Sequence, residues 1–236
     1  MKKPSLPVLI LLVMASCNGG GAGPGSTGTS TADNNASVTT EAKDALIADE
    51  RDSWQHPEEV LEVLGDLQGK VVADLFAEDG YWTFRLAARG ARVIAVVSDE
   101  AQAQELRRLC EEQGLGNDRV EVRVATGSPG LGMEEADMAL ASTSYVTILD
   151  RPTYFEQLRA GLKDPNRFFL VDFKQMQSPV GPPSEYRVPV EGVLEELSSF
   201  GFSDVAAHSG KLPYQFILLA QDYTEMPTEE NMMNIQ

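Results

Sequence analysis

Lys70-Val71-Val72-Ala73-Asp74-Leu75-Phe76-Ala77-Glu78-Asp79-Gly80 is the stretch on which the reading of the fold turns. Its first seven residues form an almost unbroken apolar run, of the kind buried on both faces of a parallel sheet. Its last four are small, acidic or glycine, as in a tight turn that opens a helix. Working outward, Gly80 to Arg89 fits a helix, Ala91 to Val97 a second strand and Asp99 to Gln113 a second long helix, with Leu106, Leu109 and Cys110 on one side. Val120 to Ala125, Ala136 to Ser142 and Arg167 to Lys174 read as further strands, with a helix over Pro152 to Leu162 before the last. Before the key stretch, Pro57 to Leu64 reads as a short helix with Glu58 and Glu59 in its first turn. After it, Val190 to Phe200 is a helix, and Val205 to His208 and Tyr214 to Gln221 are two final strands. Strands alternating with helices predict an open, mostly parallel seven-stranded α/β sheet with helices on both faces. In such folds ligands bind beyond the carboxyl ends of the strands, near the point where strand order reverses.

The ends of the chain read differently. Lys2 and Lys3 precede an apolar run from Leu6 to Ala15, shorter than the ~20 residues a membrane span needs. The run ends in Met14-Ala15-Ser16-Cys17, which resembles the bacterial lipobox. Residues 1–16 are therefore expected to be a lipoprotein signal peptide and Cys17 the lipidated residue, placing the protein on the cell envelope, on the periplasmic side. Residues 17–40 are Gly-, Ser-, Thr- and Asn-rich, and cannot bury enough surface to offset their ordering entropy. As a flexible tether they would reach on the order of 25 Å. The folded domain is expected over 41–223 and a loose tail over 224–236.

Composition narrows the function. The 236 residues carry 19 Lys+Arg against 36 Asp+Glu, a formal charge of -17. Such a field repels phosphate backbones, so no nucleic-acid partner is expected. Two cysteines and two histidines, with His56 and His208 far apart in sequence, leave no metal-binding cluster. No Gly-x-Ser-x-Gly elbow accompanies His208-Ser209, which argues against a hydrolase triad.

Several segments together resemble the class I S-adenosylmethionine-dependent methyltransferases, in particular a subgroup of exported bacterial proteins. They are Arg51-Asp52-x-Trp54-x-x-Pro57, Val72-Ala73-Asp74, Gly80-Tyr81-x-Thr83, Asp150-Arg151-Pro152-x-Tyr154-Phe155, Val171-Asp172-Phe173-Lys174, Gly181-Pro182-Pro183-x-Glu185-x-Arg187 and Leu212-Pro213-Tyr214-Gln215. The resemblance implies a Rossmann-like methyltransferase sandwich. It implies S-adenosylmethionine bound around Asp74, Gly80 and Asp99, and methyl transfer to an acceptor near Tyr145, Asp172 and Lys174.

The departures from the family pattern point the other way. The family's Asp-x-Gly-x-Gly-x-Gly loop reads Asp74-Leu75-Phe76-Ala77-Glu78-Asp79-Gly80, so Phe76 and Glu78 stand where glycines let backbone approach the cofactor. The acid that would accept the ribose hydroxyls falls on Val97, with Asp99 two residues beyond. The family's Asp-x-Tyr-His-His after the fourth strand reads Thr143-Ser144-Tyr145-Val146-Thr147, which removes both histidines. Two functions remain: a degenerate, non-catalytic binding or scaffolding module with an unassigned protein or small-molecule partner, or an active S-adenosylmethionine-dependent methyltransferase on an unassigned acceptor.

Overall fold

The computed structural model describes residues 50–222. The expected signal peptide, Cys17, the expected tether, the first residues and the last residue of the expected domain, and the expected tail lie outside the described residues. A helical turn over 50–55 leads into α1 (Pro57–Leu64). There follow β1 (Val71–Leu75), α2 (Tyr81–Ala88), β2 (Arg92–Val97), α3 (Glu100–Glu112), β3 (Val120–Val124) and β4 (Ala136–Ser142). The chain continues through α4 (Arg151–Gly161), β5 (Leu162–Phe173), α5 (Val190–Ser199), β6 (Asp204–His208) and β7 (Gln215–Gln221).

The seven strands form one sheet in the order β3-β2-β1-β4-β5-β7-β6. β1 pairs in parallel with both β2 and β4, and β7 runs antiparallel between β5 and β6. The order reverses at β1, so the switch point lies between the carboxyl ends of β1 and β4. The mostly parallel α/β sandwich expected from the sequence is the architecture observed.

The apolar strands divide their side chains between two cores. Val72, Val93, Ala95, Met138, Leu140 and Val171 face α1, α2 and α3, while Ala73, Leu75, Ile94, Ala139, Leu170 and Phe216 face α4 and α5. Strands covered on both sides need no polar face, which is why they read as continuous runs. Phe155 of α4 is the hub of the second core, with ring contacts to Tyr145, Tyr154, Phe168, Phe200 and Phe202.

Helix starts follow their local chemistry. The Asp99 side chain accepts from the Gln102 amide at 2.9 Å and opens α3, and Asp150 accepts from the Thr153 amide at the start of α4. The fifth strand begins at Leu162, earlier than the expected Arg167. Leu162 pairs with Ala136 and Arg167 with Met138, so Lys163 to Asn166 form an irregularity inside the strand. Asp164-Pro165-Asn166 carries turn chemistry, which hides the strand's first residues.

Asp74 sits in the middle of this packing at 1% exposure, accepting a hydrogen bond from the Thr83 hydroxyl at 2.5 Å. Burial pushes its carboxyl up to about 7, aided by the Asp79 charge and opposed by Thr83 and Arg51. The folded protein therefore holds a proton that the unfolded chain releases near pH 4. Stability then falls as pH rises from about 4 to about 7, by up to about 4 kcal/mol from this group alone. Asp74→Asn keeps an acceptor for Thr83 and removes the titration. Denaturant unfolding at pH 5 and pH 8 should show the wild type losing more stability than the variant between the two, and parallel losses would refute the assignment.

Candidate functional site

Three residues after β1 adopt left-handed backbone in quick succession: Phe76 at φ 60°, Glu78 at φ 45° and Gly80 at φ 79°. The turn is tied down by the Ala77 amide on the Val96 carbonyl and the Gly80 amide on the Ala77 carbonyl, both at 2.8 Å. The backbone thus keeps a conformation suited to glycine at two positions that carry side chains. Each such residue costs about 1–2 kcal/mol. Phe76 regains part of this by stacking on Tyr154, ring centroids 6.0 Å apart, an arrangement worth about 0.5–1.5 kcal/mol beyond area burial. Glu78 makes no hydrogen bond or ion pair among the described residues, and burial raises its carboxyl above the usual range, with Asp79 adding to the rise. Gly80 answers to packing: a Cβ there would meet the Phe84 ring at 2.6 Å and Leu106 at 2.7 Å.

Thr143, at the end of β4, is also left-handed, with φ 55°. Strained positions therefore stand on both sides of the switch point, a distribution characteristic of functional sites. Beyond these strand ends lies a cavity of about 460 Å³. Phe76 and Glu78 supply its wall after β1, Ser98 after β2, Ala125, Thr126 and Gly127 after β3, and Thr147 to Asp150 with Tyr154 after β4. The Thr126 hydroxyl donates to the Ser98 carbonyl at 2.9 Å, Thr147 to the Ser144 carbonyl at 2.6 Å, and Ser98 to the Gln102 side chain at 3.1 Å.

The structure places Asp99, Tyr145, Asp172 and Lys174 off the cavity lining. β2 ends at Val97, which is 1% exposed and packed in the core on the α3 side. Asp99 caps α3 and does not line the cavity. The Tyr145 hydroxyl donates to Glu196 of α5 at 2.5 Å, and burial with that partner pushes its ionisation above the usual tyrosine range. Asp172 accepts from the Tyr145 amide at 3.2 Å and the Phe173 amide at 2.7 Å, and burial raises its carboxyl. The Lys174 ammonium donates to the Leu212 carbonyl at 2.7 Å, and burial lowers its proton affinity. Tyr145, Asp172 and Lys174 are thus held by structural bonds, and none lines the cavity. Among the described residues no group of His, Cys, Asp and Glu has the geometry of a metal site.

Two features escaped the sequence reading. Arg51 and Arg85 sandwich the Tyr81 ring, 3.7 and 3.8 Å from its centroid, while Asp52 takes the Tyr81 hydroxyl at 2.6 Å and Arg85 at 2.7 Å. Arg51 also reaches Asp79 at 3.2 Å, and buried Gln55 donates to Ser142 at 3.1 Å. This network straps residues 51–55 across the carboxyl edge of the sheet, and Trp54 packs on Phe173, ring centroids 5.6 Å apart. In the Pro-rich loop Arg187, 6% exposed, gives its guanidinium to the carbonyls of Pro182, Lys174, Met176 and Val180 and to the Ser178 hydroxyl. The segment quoted around Gly181 and Arg187 is a stitched loop.

No family model matches the chain, and no curated protein matches it. Solved structures do. A SAM-dependent methyltransferase from Aquifex aeolicus matches with TM-score 0.67 and 20% identity over 78% of this chain and 100% of its own. Geranyl diphosphate methyltransferase in complex with SAM matches with TM-score 0.59 and 17% identity over 80% of this chain and 93% of its own. The cyclase SpnF matches with TM-score 0.56 and 16% identity over 77% of this chain and 82% of its own. Taken with the strand order and the position of the cavity, these likenesses establish that the domain has the Rossmann-like fold of the class I S-adenosylmethionine-dependent methyltransferases.

Proposed function

We propose that the chain is a membrane-anchored lipoprotein whose methyltransferase-like domain is a binding module that does not transfer methyl groups. The observation that carries this reading is the wall after β1, where the Phe76 ring and the Glu78 carboxylate occupy the edge of the cleft on left-handed backbone. S-adenosylmethionine is the cofactor that structural neighbours of this fold bind. The residues present here do not fit it. Val97 offers no acceptor for ribose hydroxyls, and one missing hydrogen bond to a charged partner costs about 1.5–3 kcal/mol. Gly80, the glycine this turn retains, is accounted for by Phe84 and Leu106. Among the described residues no Lys, Arg or His lines the cleft.

The anchor supports the same reading from another direction. A lipidated Cys17 would hold the domain outside the cytoplasm, where the methyl donor is made, and more than one acyl chain gives durable attachment. The partner is then a small molecule or protein of the envelope, and the net charge of -17 disfavours nucleic acid.

Calorimetric titration of the purified domain with S-adenosylmethionine, and separately with its demethylated product, should give no binding heat; micromolar affinity for either would overturn the proposal. The double variant Phe76→Gly with Glu78→Gly should create binding where the parent has none. Glu78→Gly alone should raise unfolding free energy by about 1 kcal/mol, because strain is released and an exposed side chain loses little. An unchanged or lower value in denaturant melts would contradict the strain assignment. For the anchor, Cys17→Ser should abolish incorporation of a fatty-acid label and move the protein from the membrane pellet to the soluble fraction; equal labelling of the variant would dispose of the lipoprotein reading.

A further inference from the structure

We infer that the cavity binds a compact aromatic monocation, an aryl-alkylamine, with its ring against the Phe76–Tyr154 pair and its ammonium on Glu78. The inference goes beyond the proposed function and stands on the residues that line the cleft, whether or not the methyl donor enters it.

Charge sets the sign of the ligand. Among the described residues the cavity wall holds two carboxylates, Glu78 and Asp150, and no Lys, Arg or His. Asp150 is already engaged as the cap of α4, through the Thr153 amide. Glu78 is left as the acid with no hydrogen bond or ion pair among the described residues. Its neighbours Asp79 and Arg51 pull in opposite directions, but Arg51 bonds to Asp79 and not to Glu78. A carboxylate at the cavity wall without a partner is stabilised by an incoming cation, and a charge-assisted bond is roughly twice as strong as a neutral one.

Shape and polarity set the rest. The hydroxyls of Thr126 and Thr147 donate to backbone carbonyls and that of Ser98 to Gln102, so they offer no free donors to the sugar or phosphate of a nucleotide. What remains is an aromatic floor with aliphatic cover. Tyr154 is 3% exposed and held by Phe155, which fixes the angle of the ring on which Phe76 stacks. Ile148 is buried beside the mouth, whereas Leu149 is 98% exposed at the rim, an apolar side chain without cover. A volume of about 460 Å³ accommodates a bicyclic ring with a short alkyl arm and lies within the range of small-molecule sites. Glu78 also keeps a φ of 45°, strained backbone of the kind that gathers at functional sites.

The test uses tryptamine and phenethylamine as cations, tryptophol as the uncharged analogue of tryptamine and indole-3-propionate as an anion, titrated at pH 7 into the full domain. Saturable binding of at least one amine is expected, about tenfold or more tighter than tryptophol, with no binding of the propionate. Glu78→Gln should cut amine affinity about tenfold and leave tryptophol unchanged, while thermal melts show the variant folded. Phe76→Leu should weaken amine and alcohol alike. Equal affinity for tryptamine and tryptophol, or no saturable binding of either amine at millimolar concentration, would overturn the inference. A parallel titration with S-adenosylmethionine separates the two readings. Amine binding that S-adenosylmethionine displaces keeps this inference and removes the non-catalytic one. Silence from the amines and from S-adenosylmethionine removes this inference alone.

Discussion

The turn that follows β1 is the constraint from which the site is built. A parallel strand ending at the switch point must hand the chain to a helix within a few residues, and here the route demands positive φ at positions 76, 78 and 80. Glycine meets that demand without a Cβ; phenylalanine and glutamate meet it at a cost of about 1–2 kcal/mol each. The backbone geometry is fixed by β1, by α2 and by the Ala77 amide on Val96, so the strain cannot relax by moving the loop. It is expressed instead in where the two side chains go. Both enter the wall of the cleft, and the chemistry of the cavity follows from that.

The strap formed by residues 51–55 closes the other side of the same edge. Its attachment is polar: two guanidiniums on the faces of Tyr81, a carboxylate shared by Tyr81 and Arg85, and an amide on Ser142. Exposed pairs of this type contribute little singly, but Tyr81 is 8% exposed and the contacts share one ring, so they act as a network. Because Arg51 is committed to Tyr81, Gln55 and Asp79, it is not available to neutralise Glu78. The strap therefore shapes the cleft as much by the charge it withholds as by the surface it covers.

Much of the fold was legible in the residues. Continuous apolar runs such as Arg92–Val97, bounded by turn residues, read as strands covered on both faces, and helices declare their starts with Asp99, Asp150 and Pro57. The first residues of β5 were hidden because Asp164, Pro165 and Asn166 look the same in a turn and in an irregular strand. The site was legible only in part. Phe76 and Glu78 stand out as residues in a glycine-rich frame, whereas their surroundings depend on side-chain direction. Tyr145 and Lys174 lie at strand ends as expected, yet Glu196 and the Leu212 carbonyl, distant in sequence, claim their polar atoms. Tyr154 carries no local signal that it would face Phe76.

The separation between the cores and the cleft explains how the cleft's chemistry can change while the fold persists. The two cores lie above and below the sheet and are filled by residues of the strands and of the five helices. Of the cavity-lining residues only Tyr154 and Ile148 are among the buried core side chains, and Phe76 and Ala125 pack at its margin. Substitutions at positions 76 and 78 of the turn after β1 therefore cost local strain and leave the packing that stabilises the domain intact. A larger ring at position 76 even adds contact with α4. The same separation leaves Glu78 open to a ligand, since no core contact competes for its carboxylate.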